Sequence, residues 1–172
     1  MKKATDTLYC VKCGSDSLVK DGEKAYRCGH CGFTYFHNAA AASGAIIVFN
    51  GKILLLERAL EPSKGKLDIP GGFVDYHESN EQALSRELYE ELQLSVSDSD
   101  LSYLFSYPNE YLYKDVRYYT VDSFFELILK AEPTLILQQS EVSNFYWVDP
   151  KTLNLDDLAF DSCKRALTSY LG

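Results

Sequence analysis

No stretch of this 172-residue chain stays apolar for long enough to cross a bilayer. The longest run of small or apolar residues, Ala39 to Phe49, is interrupted by Ser43 and falls well short of the roughly 20 residues a membrane helix needs. Lys2 and Lys3 lead into no apolar segment, so a secretory signal is not expected and a soluble, cytoplasmic protein is. Positive charge is also scarce: 17 Lys and Arg face 25 Asp and Glu, a net charge of −8. Such an excess disfavours general binding to nucleic acid or to an anionic membrane. If the substrate carries phosphate, cations must be recruited to meet it. Internal repeats and low-complexity tracts are absent, and 46% hydrophobic with 24% charged residues excludes wholesale disorder. The length slightly exceeds that of one typical domain, which implies one core plus a small appendage.

Cysteine is present in a telling arrangement. Four of the five cysteines form two short pairs, Cys10-Val-Lys-Cys13 and Cys28-Gly-His-Cys31, separated by fourteen residues. Each pair curls the backbone so that both sulfurs face one point, and two pairs complete a tetrahedral thiolate site of the kind structural Zn2+ takes. Gly14 and Gly32 follow the pairs directly, where a tight turn calls for a residue without Cβ. Two disulfides or a redox pair are the competing readings; disulfides would need an oxidising compartment. The pattern resembles a zinc ribbon of the rubredoxin-knuckle type over about residues 8–36, with Cys10, Cys13, Cys28 and Cys31 as ligands and His30 facing solvent. Residues 1–37 carry a net +2 and leave −10 for the remainder. That gives weak support to nucleic acid; a structural or dimerising role fits better, and a homodimer stays open. Cys163 reads as a small buried hydrophobe in a C-terminal helix.

Beyond a connector at 36–42, Gly44 to Phe49 and Lys52 to Glu57 are strand-like runs joined by Asn50-Gly51, a strong hairpin signal. A loop around Pro62 to Lys66, a short strand Leu67-Asp68-Ile69 and a turn Pro70-Gly71-Gly72 follow. From Ser79 a helix is expected, with Ser79 and Gln82 as a capping box and Ala83, Leu84, Leu88 and Leu92 as its apolar stripe. Residues 101–107, 116–128 and 144–148 read as strands and 155–171 as a helix. Strands split around one helix, with another at the end, predict an α/β fold with a mixed sheet between helices.

That first helix also carries the chemistry. Glu87, Glu90 and Glu91 are spaced i, i+3, i+4, so three carboxylates share one face and repel one another. A solvated charged face is the usual meaning of such a cluster; a hard divalent cation, Mg2+ or Mn2+, would make it favourable. The wider pattern is Gly72, five residues, Glu78, seven residues, then Arg86-Glu87-Leu88-Tyr89-Glu90-Glu91-Leu92-Gln93-Leu94. These 23 positions resemble the Nudix box, and the resemblance extends over about residues 40–155. It implies a Nudix α/β/α sandwich over 38–172, preceded by the ribbon over 1–37, and hydrolysis of a nucleoside diphosphate linked to another group. It assigns Glu87, Glu90 and Glu91 to the catalytic metal, with the carbonyl of Gly71 or Gly72 as a further ligand, and Arg86 with Glu78 as a brace. One position departs: Gln93 stands where the family has glycine, at a left-handed helix exit where glutamine costs roughly 1 kcal/mol.

The resemblance implies a general base that is a helix glutamate or a carboxylate from a later loop; Glu141, six residues before Trp147, stands where related enzymes often supply one and reads equally as an exposed loop glutamate. Arg58 reads equally as a phosphate contact or as half of a surface ion pair. Six tyrosines lie between 103 and 119, and Tyr107-Pro108-Asn109-Glu110-Tyr111-Leu112-Tyr113 reads as a loop whose Tyr107, Tyr111 and Tyr113 could stack on a base. At least one of Tyr118 and Tyr119 is expected in the core. Pro108 resembles the ADP-ribose pyrophosphatase pattern and Tyr111 the dinucleoside polyphosphate pattern. The ribbon resembles NADH pyrophosphatases, whose Ser-Gln-Pro-Trp-Pro-Phe-Pro motif is absent here. ADP-ribose or NAD(H)-like dinucleotides rank first as small-molecule substrates. Dinucleoside polyphosphates and a non-catalytic nucleotide-sensing module are the alternatives.

Overall fold

The computed structural model describes residues 8–114 and 116–172; Lys2 and Lys3, on which the leader argument turned, lie outside them. The chain divides into two compact units, one ending at Asn38 and one spanning Ala39–Gly172. In the first, β1 (Leu18–Lys20), β2 (Ala25–Cys28) and β3 (Thr34–Phe36) form an antiparallel sheet in that order. Its core is small: Cys10, Leu18 and Cys28, with Tyr26 and Phe33 packed against them.

The second unit is built on a mixed sheet. Its strands are β4 (Ala40–Phe49), β5 (Lys52–Arg58), β6 (Leu67–Asp68), β7 (Gly71–Phe73), β8 (Ser102–Tyr113), β9 (Val116–Ile128) and β10 (Val142–Val148). The main order is β10-β5-β4-β9-β8, with β6 on β5 and β7 on β4. β4 runs parallel to β9, and the other pairings are antiparallel. Asn50 and Gly51 take φ of 48° and 73°, the two left-handed residues that a tight hairpin between β4 and β5 requires.

Helix α1 (Asn80–Leu92) and helix α2 (Asp161–Leu171) stand on separate cores. Leu84, Leu88 and Leu92 of α1 pack with Ala45, Ile47, Leu54, Leu56 and Phe125. Cys163, Ala166 and Leu167 of α2 pack with Ile46, Ile53, Leu55 and Phe124. Successive residues of β4 and β5 thus serve opposite faces, which is why both strands read as unbroken apolar runs.

Ser79 caps α1 as its sequence predicts, with both halves of the capping box formed to Gln82. The helix leaves through Gln93 at φ 55° and ψ 28°, the left-handed exit normally given to glycine. Its Nε2 donates to the Tyr89 carbonyl at 3.0 Å, which offsets part of the strain. Gln93→Gly should therefore raise stability by about 0.5–1 kcal/mol, read as a higher denaturant midpoint at unchanged slope.

Four sequence expectations are corrected. Residues 36–42 do not form a plain connector, because β3 ends at Phe36 and β4 begins at Ala40. Gly71 and Gly72 do not form a turn but pair with Gly44 and Ser43 as β7. The stretch 155–171 is not one helix: Leu158 bridges to Leu67 and the Ala159 N–H donates to the Leu67 carbonyl at 2.8 Å, which holds the chain extended before α2. Finally, Tyr107 to Tyr113 is not a loop; it continues β8, in register with β9 through Tyr113↔Val116. Pro108 is tolerated there because β8 is an edge strand.

Candidate active site and metal centre

β7 places two glycines between β4 and α1, Gly71 tight against the β4 backbone and Gly72 against the Glu87 carboxylate. A Cβ on Gly71, whose φ is 141°, would lie 2.1 Å from the Ser43 carbonyl oxygen; one on Gly72 would lie 2.5 Å from Glu87 Oε1. This close approach lets the Gly71 N–H donate to Glu91 Oε2 at 3.1 Å. Arg86 ties the 73–78 segment to the helix. It donates to both oxygens of Glu78 (2.8 and 3.0 Å) and to the Phe73 carbonyl (3.0 Å). It also reaches Glu87 Oε1 at 2.9 Å and Glu90 Oε2 at 3.3 Å. Glu78 in turn accepts from the Asp75 N–H at 3.1 Å.

The carboxylates are not equivalent. Glu90 is half exposed, whereas Glu87 is largely covered. Burial lifts the Glu91 carboxyl well above its ordinary value against the Gly71 hydrogen bond, and the charges of Glu87, Asp68 and Glu141 push the same way. Burial likewise raises Glu87, opposed by Arg86. Glu78 is lowered, through its hydrogen bonds from Arg86. Two partly buried carboxylates with raised affinity for a positive charge, and oxygen-only donors, suit a hard divalent cation. Glu87 Oε2, Glu90 Oε1 and Glu91 Oε1 take no part in the bonds above. Among the described residues, however, only the four cysteines bring three or more candidate ligand atoms within 4.8 Å of one another.

The remaining candidates fall in different places. Glu141 precedes β10, exposed, with Gln138 Nε2 donating to it at 3.0 Å, and its charge is felt by both Glu87 and Glu91. Arg58 is half-buried, paired with Asp68 at 2.8 Å and bonded to the Pro62 carbonyl at 2.9 Å, its guanidinium 4.8 Å from the Phe160 ring centre. Tyr111 stacks on Tyr118 with ring centres 5.6 Å apart and lines the same cavity as Arg58 and Gly71. Tyr107 instead bonds Ser169 at 2.7 Å and lies under Arg165, so α2 covers it. Tyr113 sits at the hairpin end beside Lys114. Tyr118 and Tyr119 are both exposed, contrary to the core placement expected for one of them.

The sequence reading passed over Asp68, Asn109, Thr120 and Phe160, which line that cavity. Its available signal was a polar residue at an inward strand position: Thr120 precedes Phe124 by four residues on the same face of β9.

In the first unit the four thiols are free and mutually close. Cys10 Sγ to Cys31 Sγ and Cys13 Sγ to Cys28 Sγ are each 3.8 Å. Thiolates about 2.3 Å from a central Zn2+ stand about 3.8 Å apart along a tetrahedral edge. Gly14 and Gly32 adopt φ of 72° and 71° and donate to the carbonyls of Cys10 and Cys28. The Ser17 hydroxyl and the Cys31 N–H, both 3.5 Å from Cys28 Sγ, hold that thiol below its ordinary value. His30 is exposed. The cluster could hold zinc.

The acidic helix α1, braced by Arg86, lies against the double-glycine strand β7. The NUDIX domain family matches residues 38–168, and the chain belongs to that family, whose members are pyrophosphohydrolases that generally use divalent metals. An ADP-ribose pyrophosphatase from Methanocaldococcus jannaschii is 33% identical over 137 residues, covering 80% of this chain and 75% of its own. A NAD-capped RNA hydrolase NudC from Haemophilus influenzae is 29% identical over 142 residues, covering 81% of this chain; this chain spans only 50% of it. A Nudix hydrolase from Nitrosomonas europaea shares the fold at TM-score 0.69 and 23% identity, over 95% of this chain and 89% of that one. Among the described residues, no helix is long and apolar enough to cross a membrane.

Proposed function

We propose that the protein hydrolyses the diphosphate bond of ADP-ribose or an NAD(H)-like dinucleotide, with Glu87, Glu90, Glu91 and the Gly71 carbonyl holding Mg2+ or Mn2+. The observation that carries this reading is the packing of Gly71 and Gly72 on Glu91 and Glu87, beside a cavity lined by Tyr111 and Phe160. The names of the M. jannaschii and H. influenzae relatives support the substrate class. When bound, the cations would neutralise the diphosphate and make a water acidic enough to attack phosphorus. The chain's own residues do the rest. Arg86 fixes the carboxylates through Glu78 and the Phe73 carbonyl. Glu141, whose charge reaches Glu87 and Glu91, takes the proton from the attacking water. Tyr111 offers a ring face, whereas Arg58 is committed to Asp68 and orients the cavity wall rather than the phosphates.

The ribbon is structural, with one Zn2+ on Cys10, Cys13, Cys28 and Cys31, and serves stability or the pairing of two chains. A zinc-thiolate centre of this type fits a reducing compartment such as the cytoplasm.

The test is product analysis on ADP-ribose, NADH, diadenosine polyphosphates, nucleoside triphosphates and a nucleotide sugar, with and without Mg2+. Mg2+-dependent release of AMP from ADP-ribose or NADH is the expected result. Cleavage of the polyphosphates alone would move the substrate, and silence across the panel with an intact fold would leave a nucleotide-binding module.

A further inference from the structure

The two faces of the β8–β9 hairpin differ sharply in burial. Toward α2, the side chains of Phe105, Tyr107, Asn109 and Tyr111 are buried or half-buried, and Phe105 and Tyr107 join the core under that helix. The alternate residues point to the side of the sheet on which α1 stands. There, Phe125 and Leu127 of β9 belong to the α1 core. Further along the same face, the cross-strand neighbours Pro108 and Val121, Glu110 and Tyr119, and Leu112 and Arg117 are all exposed. Tyr103, opposite Phe125, is exposed on this face as well.

The composition of this face is the reverse of what water selects. An antiparallel sheet solvated on one side alternates apolar residues inward with polar residues outward. Here the outward positions hold Tyr103, Pro108, Leu112, Tyr119 and Val121, and Tyr103, Leu112 and Val121 are 44–59% exposed. Pro108 interrupts the hydrogen-bonding capacity of the edge strand β8. The face of the hairpin, and not its edge, is therefore the surface offered to a partner.

Charge and size select that partner. Glu110 and Arg117 pair with each other, so the face is neutral within a unit that carries the −10 of residues 38–172. A nucleic acid needs an excess of positive charge, which the face lacks. A second copy of so acidic a unit is repelled except where charge balances, as it does here. A two-fold contact also requires one patch to complement itself. An apolar centre with one charge of each sign toward the hairpin end meets that condition. With a large aromatic side chain worth about 150–250 Å², the exposed parts of the patch sum to roughly 500–600 Å² per copy, the low end for a specific interface.

We propose that two copies of the chain pair through the α1-side faces of their β8–β9 hairpins, with Pro108 and Val121 at the centre of the contact. The two sheets pack face to face, as in a β-sandwich, and affinity lies in the micromolar range expected for so small an area. The zinc ribbon takes no part, and the pairing is independent of the substrate.

The test is sedimentation velocity of the full chain across the micromolar range, where the wild type should pass from monomer to dimer. Val121→Glu and Leu112→Glu each enter a two-fold contact twice, and each should weaken the dimer about 100-fold with an unchanged circular dichroism spectrum. Leu112→Glu, near the hairpin end, tests the face should Val121→Glu fail to fold. Ile128→Glu makes the same change at an exposed position on the opposite face of β9 and should leave the dimer intact. Cys28→Ser should leave it intact too. A wild-type chain that stays monomeric overturns the proposal and leaves the face to a different protein. A dimer that survives both glutamate variants, that Ile128→Glu dissociates equally, or that Cys28→Ser abolishes also overturns it.

Discussion

Glu90→Gln should lower kcat on ADP-ribose at least about 100-fold while leaving the melting temperature at or slightly above that of the wild type. The two halves of this expectation rest on different magnitudes. Structurally, the substitution removes one contact to Arg86, at 3.3 Å, from a half-exposed side chain. An i,i+4 pair of this kind is worth about 0.3–0.5 kcal/mol, and relief of repulsion among three neighbouring carboxylates returns a similar amount. Arg86 keeps Glu78 and Glu87, so the brace survives. Catalytically, the same substitution removes one negative charge from the set proposed to hold the cation, and loss of a preorganised electrostatic element costs about 2.7 kcal/mol or more, about 100-fold in rate. Function and fold are thus separable at this residue. Turnover close to wild type in a well-folded Glu90→Gln protein would remove Glu90 from the metal set.

Cys28→Ser should abolish zinc binding and unfold the first unit. The hydrophobic core there comprises Cys10, Leu18 and Cys28 with two partly buried aromatics, and two of its three buried members are candidate ligands. So small a segment cannot offset its chain entropy by burial, whereas a structural Zn2+ contributes about 10–16 kcal/mol at neutral pH. Cys28 is also the thiol best prepared for ligation, with Ser17 and the Cys31 N–H turned toward its sulfur. Elemental analysis should give one zinc per chain for wild type made under reducing conditions and none for the variant. Limited proteolysis should then cut within residues 8–36 and spare the unit Ala39–Gly172, which has its own two cores. Wild-type protein free of zinc would refute the assignment.

Much of this architecture is a local property of the chain, and local properties are legible in sequence. The capping box, the stripe of Ala83, Leu84, Leu88 and Leu92, the Asn50-Gly51 hairpin and the left-handed exit at position 93 each depend on interactions within a few residues. The spacing of Glu87, Glu90 and Glu91 and of the paired cysteines is of the same kind, because a helix turn or a tight knuckle converts sequence interval directly into direction in space.

Partners distant in sequence had to come from the fold. Tyr107 to Tyr113 has turn-like composition but lies in β8 because β9 supplies its hydrogen bonds. Leu158 and Ala159 are extended because Leu67 lies alongside. Arg58 is committed to Asp68, ten residues away across β5 and β6, and Tyr107 to Ser169 on α2. The sequence alone determined which side chains could carry the chemistry and on which helix face they stand. Only the tertiary structure decided that Gly71 and Gly72 press on that face, and that Thr120 meets Asn109 across the sheet, because strand register is set by the buried surface of the whole unit and not by any local interval.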